Sequence, residues 1–304
     1  MSNHLGADAA QAKRQLGRVG AWLGALGFAP WDEAAAAARR VEALGYSALW
    51  ISETPIGREP LSHAALLLGA TERITVGTGI ASIWSRDALA ARNGALGLAQ
   101  AFPERFVLGL GVSHAPAVKL RGQEYEKPLT AMRRYLDGFD AAEYRGAQAA
   151  TPVPVVLAAL RPKMLALAAE RTAGAHPYFV PVEHTRIARE RLGDEALLAP
   201  EVSVVVESDP ALARARARDF MKLYLALPNY TNNLRDLGWG DADLADGGSD
   251  ALVDAIVGWG DAERVAAFVR AHLDAGADHV CLQPVGTSVA SAVDELAALA
   301  PLLL

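Results

Sequence analysis

Hydrophobic positions along this chain change period again and again. Stretches with apolar residues three and four apart, the spacing of an amphipathic helix, give way to short unbroken apolar runs. Five times an apolar-faced helix ends abruptly and a buried strand follows. The stops are Gly45-Tyr46-Ser47 before Ala48-Leu49-Trp50-Ile51, Glu72-Arg73 before Ile74-Thr75-Val76, and Glu104-Arg105 before Phe106-Val107-Leu108. Two more are Gly174-Ala175 before His176-Pro177-Tyr178-Phe179-Val180 and Gly276-Ala277-Asp278 before His279-Val280-Cys281-Leu282. A helix feeding a buried strand through a short stop is half of a βαβ unit, and such crossovers join parallel strands. The pattern predicts an α/β fold, a closed (β/α)8 barrel of the TIM type in one domain spanning 1–304. Chemistry then belongs at the strand C-terminal ends.

The same pattern predicts strands over 16–23, 48–52, 74–79, 106–111, 153–158, 176–180 and 202–206, and a last one before Pro284. In the strand over 176–180, alternation sends His176, Tyr178 and Phe179 to opposite faces, so at most two of them face a central pocket. Helices are predicted near 30–44, 61–70, 87–101, 129–143, 162–174 and 182–192, and from Asp209-Pro210 onward. Pro30 with Asp32 and Glu33 at one end and Gly45 just past the other are ordinary helix start and stop signals. The rhythm then breaks. Pro228, Asn229, Gly238, Gly240, Gly247 and Gly248 make 228–260 read as a helix-poor insertion before the last strand, near the C-terminal mouth. Long irregular segments inside a compact domain are often functional.

Composition narrows the class. The 304 residues are 52% hydrophobic and 21% charged, as expected for a chain with a large core. A net charge of −6 argues against broad phosphate contact with nucleic acid. The single cysteine, Cys281, allows no intrachain disulfide and no cysteine-based zinc site. Residues 1–15 contain no apolar run like that of a signal sequence, and no stretch is apolar enough to span a bilayer. These features predict a soluble cytoplasmic protein that neither enters a membrane nor binds a metal.

Familiar catalytic motifs fail. Gly109-Leu110-Gly111 and Gly77-Thr78-Gly79 each lack the third glycine of a dinucleotide fingerprint. Gly111-Val112-Ser113-His114-Ala115 approaches the nucleophile elbow of hydrolases. That elbow needs a helix directly after the serine, and Pro116 argues against one.

The strand ends themselves carry a resemblance. Leu49-Trp50-Ile51-Ser52-Glu53, Thr75-Val76-Gly77-Thr78-Gly79-Ile80 and Arg105-Phe106-Val107-Leu108-Gly109-Leu110-Gly111 resemble the luciferase-like monooxygenase family. With Gly111-Val112-Ser113-His114 and Leu227-Pro228-Asn229-Tyr230-Thr231-Asn232-Asn233, the match covers nearly the whole chain. It looks closest to the actinobacterial oxidoreductases that use the deazaflavin coenzyme F420. The resemblance implies a TIM barrel with a flavin-like cofactor across its C-terminal mouth, F420 or alternatively FMN. It also implies a non-proline cis peptide at Gly79–Ile80, a small-molecule substrate and a homodimer. Ala64, Ala65, Leu66, Leu67, Ala88 and Ala91 could form the flat dimer interface or simply pack on the barrel. Cofactor-binding positions are then Gly79, Ile80, Val112, Ser113, Ala158, Ala159, Leu160 and Arg161. At the last four, a helix N-terminus offers free amides to a phosphate, although relatives have more Gly, Ser or Thr at this turn.

Two residues are candidates for proton chemistry. His114 matches a position where relatives place a polar or acidic group beside the ring, and imidazole suits proton transfer near neutrality. Its alternative is a loop histidine that only binds. Glu53 follows a strand and could bond the cofactor or move a proton, or it could pair with a neighbouring arginine such as Arg86. Trp22, Trp84, Tyr178, Asn229 and Tyr230 are candidate substrate-pocket residues; the two tryptophans could equally be packing aromatics. The implied activity is hydride transfer between F420 and an unidentified small organic substrate. An FMN-dependent monooxygenase and a cofactor-binding protein without turnover are the alternatives.

Overall fold

The computed structural model describes residues 8–304. Ten strands lie in one curled sheet: β1 Val19–Trp22, β2 Ala48–Ile51, β3 Thr75–Thr78, β4 Phe106–Gly111, β5 Val155–Leu157, β6 Gly174–Ala175, β7 Leu197–Leu198, β8 Glu201–Val206, β9 Val257–Gly260 and β10 Val280–Pro284. Their order across the sheet is β9-β8-β10-β1-β2-β3-β4-β5-β6-β7, and every pairing is parallel. A two-residue segment, Ala81–Ser82, adds a second pairing with the end of β4.

Fourteen α-helices among the described residues connect the strands: α1 Ala9–Leu16, α2 Trp31–Ala43, α3 Pro60–Ala70, α4 Ala88–Ala101, α5 Ala115–Leu120, α6 Pro128–Ala141, α7 Pro162–Arg171, α8 Val182–Leu192, α9 Pro210–Leu225, α10 Pro228–Asp236, α11 Asp241–Leu244, α12 Asp250–Ile256, α13 Ala262–Asp274 and α14 Val289–Leu303. Local chemistry starts and stops them. Glu59, Asp87, Asp209 and Asp261 each accept from first-turn amides of α3, α4, α9 and α13, satisfying donors that have no partner inside the helix. Past α2 and α13 the chain turns at Gly45 (φ 97°) and Gly276 (φ 106°), a region glycine enters without steric cost. The Glu72-Arg73 stop works differently. The Glu42 carboxylate accepts from the N–H groups of Glu72 (3.0 Å), Arg73 (2.6 Å) and Ile74 (2.8 Å), pinning the end of α2 to the start of β3.

Strand residues alternate between two buried faces. Val19, Leu49, Val76, Leu108, Val155, Val202 and Leu282 face the helices in the main core. Trp22, Ala48, Trp50, Val107, Val156, Leu197, Ala199 and Cys281 form a separate inner cluster. Ala12 and Leu16 of α1 close that cluster from below, and Gln11 Nε2 donates to the Pro152 carbonyl at 2.7 Å.

Three predicted elements differ. The strand expected over 176–180 forms only at Gly174–Ala175, because Pro177 has no N–H to give and Phe179 (φ 58°) turns the chain out of the sheet. The strand expected over 16–23 is shorter, since α1 takes its first residue. The segment 228–260 is not helix-poor. Pro228 sits at the start of α10, where its missing N–H costs nothing, and Tyr230, Thr231 and Leu234 bury one face of that helix. The glycines only separate α10, α11 and α12, and the segment ends in β9.

Candidate functional site at the strand C-terminal ends

Alternation decides what reaches the centre of the curled sheet. On one side the inward positions near the strand ends are small: Gly79, Gly109, Gly111 and Ala158. A Cβ on Gly109 would overlap the Thr78 carbonyl oxygen, and one on Gly111 would stand 2.5 Å from the Ile80 side chain and 3.2 Å from Ala158 Cβ. Thr78 Oγ1 clamps the two strands here, accepting from Gly109 N–H and donating to its carbonyl, both at 2.8 Å. The Gly79–Ile80 peptide is cis. The result is a floor made mostly of backbone, with the Ile80 side chain lying over Gly111.

Against the Gly79 end of the floor stand Trp22 and His176, with Tyr178 beside Trp22. His176 stacks on Trp50 (4.6 Å between centroids, 8° between planes). Its Nδ1 lies 2.7 Å from the Ala199 carbonyl, which can only accept, so Nδ1 carries the proton and Nε2 presents a lone pair. Burial pushes the pKa of His176 down to about 4, the bond to Ala199 opposing this, so the ring is neutral. Trp22 Nε1 and His176 Nε2 are both buried without a hydrogen-bond partner. They lie 2.6 and 2.9 Å from the point a Cβ on Gly79 would occupy. A donor and an acceptor thus converge on the edge of the glycine floor. Buried polar groups are nearly always paired in native proteins. A ligand edge that accepts from Trp22 Nε1 and donates to His176 Nε2 would satisfy both atoms.

The outer rim is aromatic. The Tyr178 hydroxyl donates to Gln283 Oε1 at 2.9 Å and accepts from the Tyr224 hydroxyl at 2.8 Å. Tyr230 packs against Tyr178, Phe179 and Tyr224 at 6.2, 5.5 and 5.4 Å. Phe179 turns away into the cluster of α9 and α10, leaving His176 stacked on Trp50 and Tyr178 against Trp22 on the inner side. His114 immediately precedes α5, its ring 5.4 Å from that of Tyr230. Burial lowers its pKa, partly offset by a hydrogen bond with Asn229, so the imidazole is neutral at physiological pH. The structure therefore brings together Trp22, Tyr178, Asn229, Tyr230 and His114 from separate parts of the sequence.

Other predicted residues have different surroundings. The Glu53 side chain is 3% exposed and fully engaged: Arg121 at 2.8 Å, Arg86 at 3.1 Å and the Ser82 N–H at 2.8 Å. The arginine pairing is thus present, and Glu53 ties together the chain after β2, the chain after β3 and the end of α5. Arg161 precedes α7 with its guanidinium exposed and bonded to Asp236 of α10 at 2.8 and 2.9 Å. Ala159 is buried beside it, Ala158 and Leu160 are half-buried, and the Leu160 carbonyl accepts from His184 at 2.7 Å. The Val112 carbonyl accepts from Trp84 Nε1 at 2.7 Å. The Trp84 ring lines a cavity of about 550 Å³ with Arg86, Gln123, Arg134 and Tyr135. Ser113 has φ 54° and α5 begins two residues on, with Pro116 in its first turn. The expectation that Pro116 prevents a helix here is thus wrong, since proline is tolerated in a first turn. The neighbouring His114 turns to Asn229 and Tyr230.

Sequence reasoning missed Gln283, Tyr224 and Glu201. Gln283 and Glu201 had a readable signal: Gln283 is the single polar residue of β10, and Glu201 and Ser203 are the polar residues of β8, all on the inward alternation.

The curled parallel sheet, with small residues at its C-terminal edge, defines a TIM-barrel-like α/β protein. Residues 14–279 match the model of the luciferase-like monooxygenases, and the chain belongs to that family of enzymes. It is 27% identical over 207 residues to the 5,10-methylenetetrahydromethanopterin reductase of Methanolobus tindarius, covering 60% of this chain and 64% of that protein. The chain thus spans somewhat less than two thirds of that relative. It is 25% identical over 251 residues to a Mycobacterium tuberculosis protein named as a coenzyme F420-dependent oxidoreductase, covering 68% and 72% of the two chains. The fold is shared with the F420-dependent tetrahydromethanopterin reductase of Methanopyrus kandleri: TM-score 0.71, 17% identity, 94% of this chain and 99% of the other. No described helix is long and apolar enough to cross a membrane.

Proposed function

We propose that this enzyme transfers a hydride between deazaflavin coenzyme F420 and a small organic substrate. The observation that carries the reading is the orphan pair, Trp22 Nε1–H and the His176 Nε2 lone pair, converging on the glycine floor. The curated relatives named for F420 or methanopterin reduction support the choice of cofactor. When bound, a deazaflavin supplies a carbon centre that gives or takes a hydride. Gly79, Ile80, Gly109 and Gly111 would lie against its face, and Trp22 and His176 against its edge. Val112, Ser113 and 158–161 would lie toward its phosphate, where the first amides of α7 favour an anion. Arg161 must exchange or share its bond to Asp236 to serve there. His114, held by Asn229 as a neutral base, moves the proton at the substrate. Tyr178 and Tyr230 enclose that substrate.

The wider assignments are of the same kind. We read the sheet as a single-domain (β/α)8 barrel in which 197–206 is one continuous strand. Ala199 donates to the Ala175 carbonyl at 2.9 Å on one side, and Cys281 donates to the Pro200 carbonyl at 2.9 Å on the other, which supports closure. Segment 228–260, β9 included, is then an insertion before the last strand, which leaves eight strands in the barrel. We further read the protein as a cytoplasmic homodimer. Ala64, Leu67 and Ala91 are buried and pack inward, but Trp31, Leu66 and Leu89 stay 38, 48 and 49% exposed on α2, α3 and α4.

Mixing the protein with reduced deazaflavin and a panel of small carbonyl compounds tests turnover. Oxidation of the cofactor with at least one of them is expected. Tight binding with no oxidation across the panel would favour a carrier without turnover.

A further inference from the structure

Glu201 lies on the inward face of β8 and is 1% exposed. Its Oε1 accepts the Ser203 hydroxyl at 2.6 Å, and its Oε2 accepts the Phe179 N–H at 3.2 Å. Neither partner is a cation, in contrast to Glu53, which has two arginines. A carboxylate with no counter-charge in such a place is strongly disfavoured against the neutral acid. Burial pushes its pKa up to about 7, with the Ser203 and Phe179 bonds pulling the other way.

Its placement ties this group to the mouth. Glu201 pairs in register with Cys281, and Ser203 with Gln283. Gln283 in turn accepts from Tyr178, which accepts from Tyr224. The titratable groups facing Glu201 are Cys281 from β10, His176 and Tyr178 from the chain after β6, Tyr224 from α9 and Tyr230 from α10. None is a carboxylate or a cation at neutral pH. An ionised Glu201 would raise the phenols of Tyr178, Tyr224 and Tyr230 and the thiol of Cys281, so its proton is coupled to the rim of the mouth.

We propose that Glu201 is the proton-holding residue of this mouth, a positioning group that acts through the Tyr178–Tyr224–Gln283 cluster rather than on the substrate itself. It carries a proton in the resting protein and gives it up as the site fills and reacts. The inference rests on the proposed function for its chemical step. When bound, the reduced deazaflavin would supply a hydride to a substrate carbonyl carbon and be oxidised, the C=O π pair passing to oxygen. His114 passes the one proton that completes the alcohol, while Glu201 releases its own proton to solvent and so sets the charge beside the phenols. The carboxylate left behind regains its proton from solvent.

Infrared titration of the purified protein, without cofactor, tests the resting state. A protonated-carboxyl band that is lost with a midpoint near neutrality is expected, absent in Glu201→Gln. Ser203→Ala keeps the carboxyl but removes the bond to Oε1, so it should move that midpoint upward. A midpoint below about pH 5, the ordinary carboxyl range, would overturn the proposal. Calorimetric titration with deazaflavin in two buffers of different protonation enthalpy tests the coupling. The wild type should exchange a fraction of a proton on binding; Glu201→Gln should lose that exchange and His114→Asn should keep it. Exchange that persists in Glu201→Gln would overturn the coupling. If neither deazaflavin nor FMN binds, the proposed function fails and takes the coupling with it, while the infrared midpoint still decides the protonation of Glu201.

Discussion

His114 shows what a single residue can and cannot reveal. Its position after β4 was legible from the Gly111-Val112-Ser113-His114 motif. Its partners, Asn229 and Tyr230, come from a helix more than a hundred positions away, and only the fold brings them together. Because burial lowers its pKa, His114 is a base rather than a cation at neutral pH. His114→Asn should therefore lower turnover about 10²–10⁴-fold with cofactor affinity within a few-fold. The acid limb of the wild-type pH–rate profile should lie below the usual histidine range and vanish in the variant. An equal loss in binding would make His114 a positioning residue instead. Glu201 gives a second residue-scale prediction. Its folded pKa of about 7 exceeds the ordinary carboxyl value, so its contribution to stability is full below the unfolded pKa and is lost as pH rises through about 7. Over that window the wild type should lose on the order of 3 kcal/mol relative to Glu201→Gln. Chemical denaturation at several pH values measures the difference, and parallel curves for the two proteins would contradict it.

At the scale of elements, the helix stops were readable because their causes are local. Capping acids, an early proline and a glycine past the last turn act within a few residues. The stop at Glu72-Arg73 lacks such a local cause; the distant Glu42 supplies it. Burial tends to raise the Glu42 pKa, but the N–H groups of Arg73, Ile74 and Glu72 outweigh this and hold it low. That contribution is present above the unfolded pKa and lost as pH falls through the folded one. Glu42→Gln should cost about 1.5–3 kcal/mol at neutral pH, the usual worth of hydrogen bonds to a charged group, and the gap should close on acidification. Thermal unfolding at neutral and acid pH checks both halves. The segment 228–260 was misread because its glycines are spaced widely enough to leave short helices between them. Their stability comes from burying Tyr230, Leu234, Leu252 and Val253 against α9, a tertiary effect that local propensity does not carry.

For the molecule as a whole, the repeated helix-to-strand stops made the parallel sheet legible, and the strand-end motifs pointed to its C-terminal edge. The α1 plug beneath the inner cluster was not legible, since its apolar face is only Ala9, Ala12 and Leu16. Nor was the half of the mouth that α9 and α10 build. A dimer through α2, α3 and α4 predicts that Leu66→Glu gives a monomer by sedimentation with little change in melting temperature, because Leu66 is already 48% exposed. A monomeric wild type at micromolar concentration would remove the idea.

The central claim is that the glycine-floored mouth holds a deazaflavin. Its most direct test is a parallel binding titration of the purified protein with coenzyme F420, FMN and NADPH, repeated with Trp22→Phe. The account predicts saturable binding of one F420 per chain, tighter than FMN and far tighter than NADPH. It also predicts a loss of about fivefold in F420 affinity when the indole N–H is removed, the worth of one hydrogen bond. Binding of FMN alone, or F420 binding that Trp22→Phe leaves untouched, would contradict it.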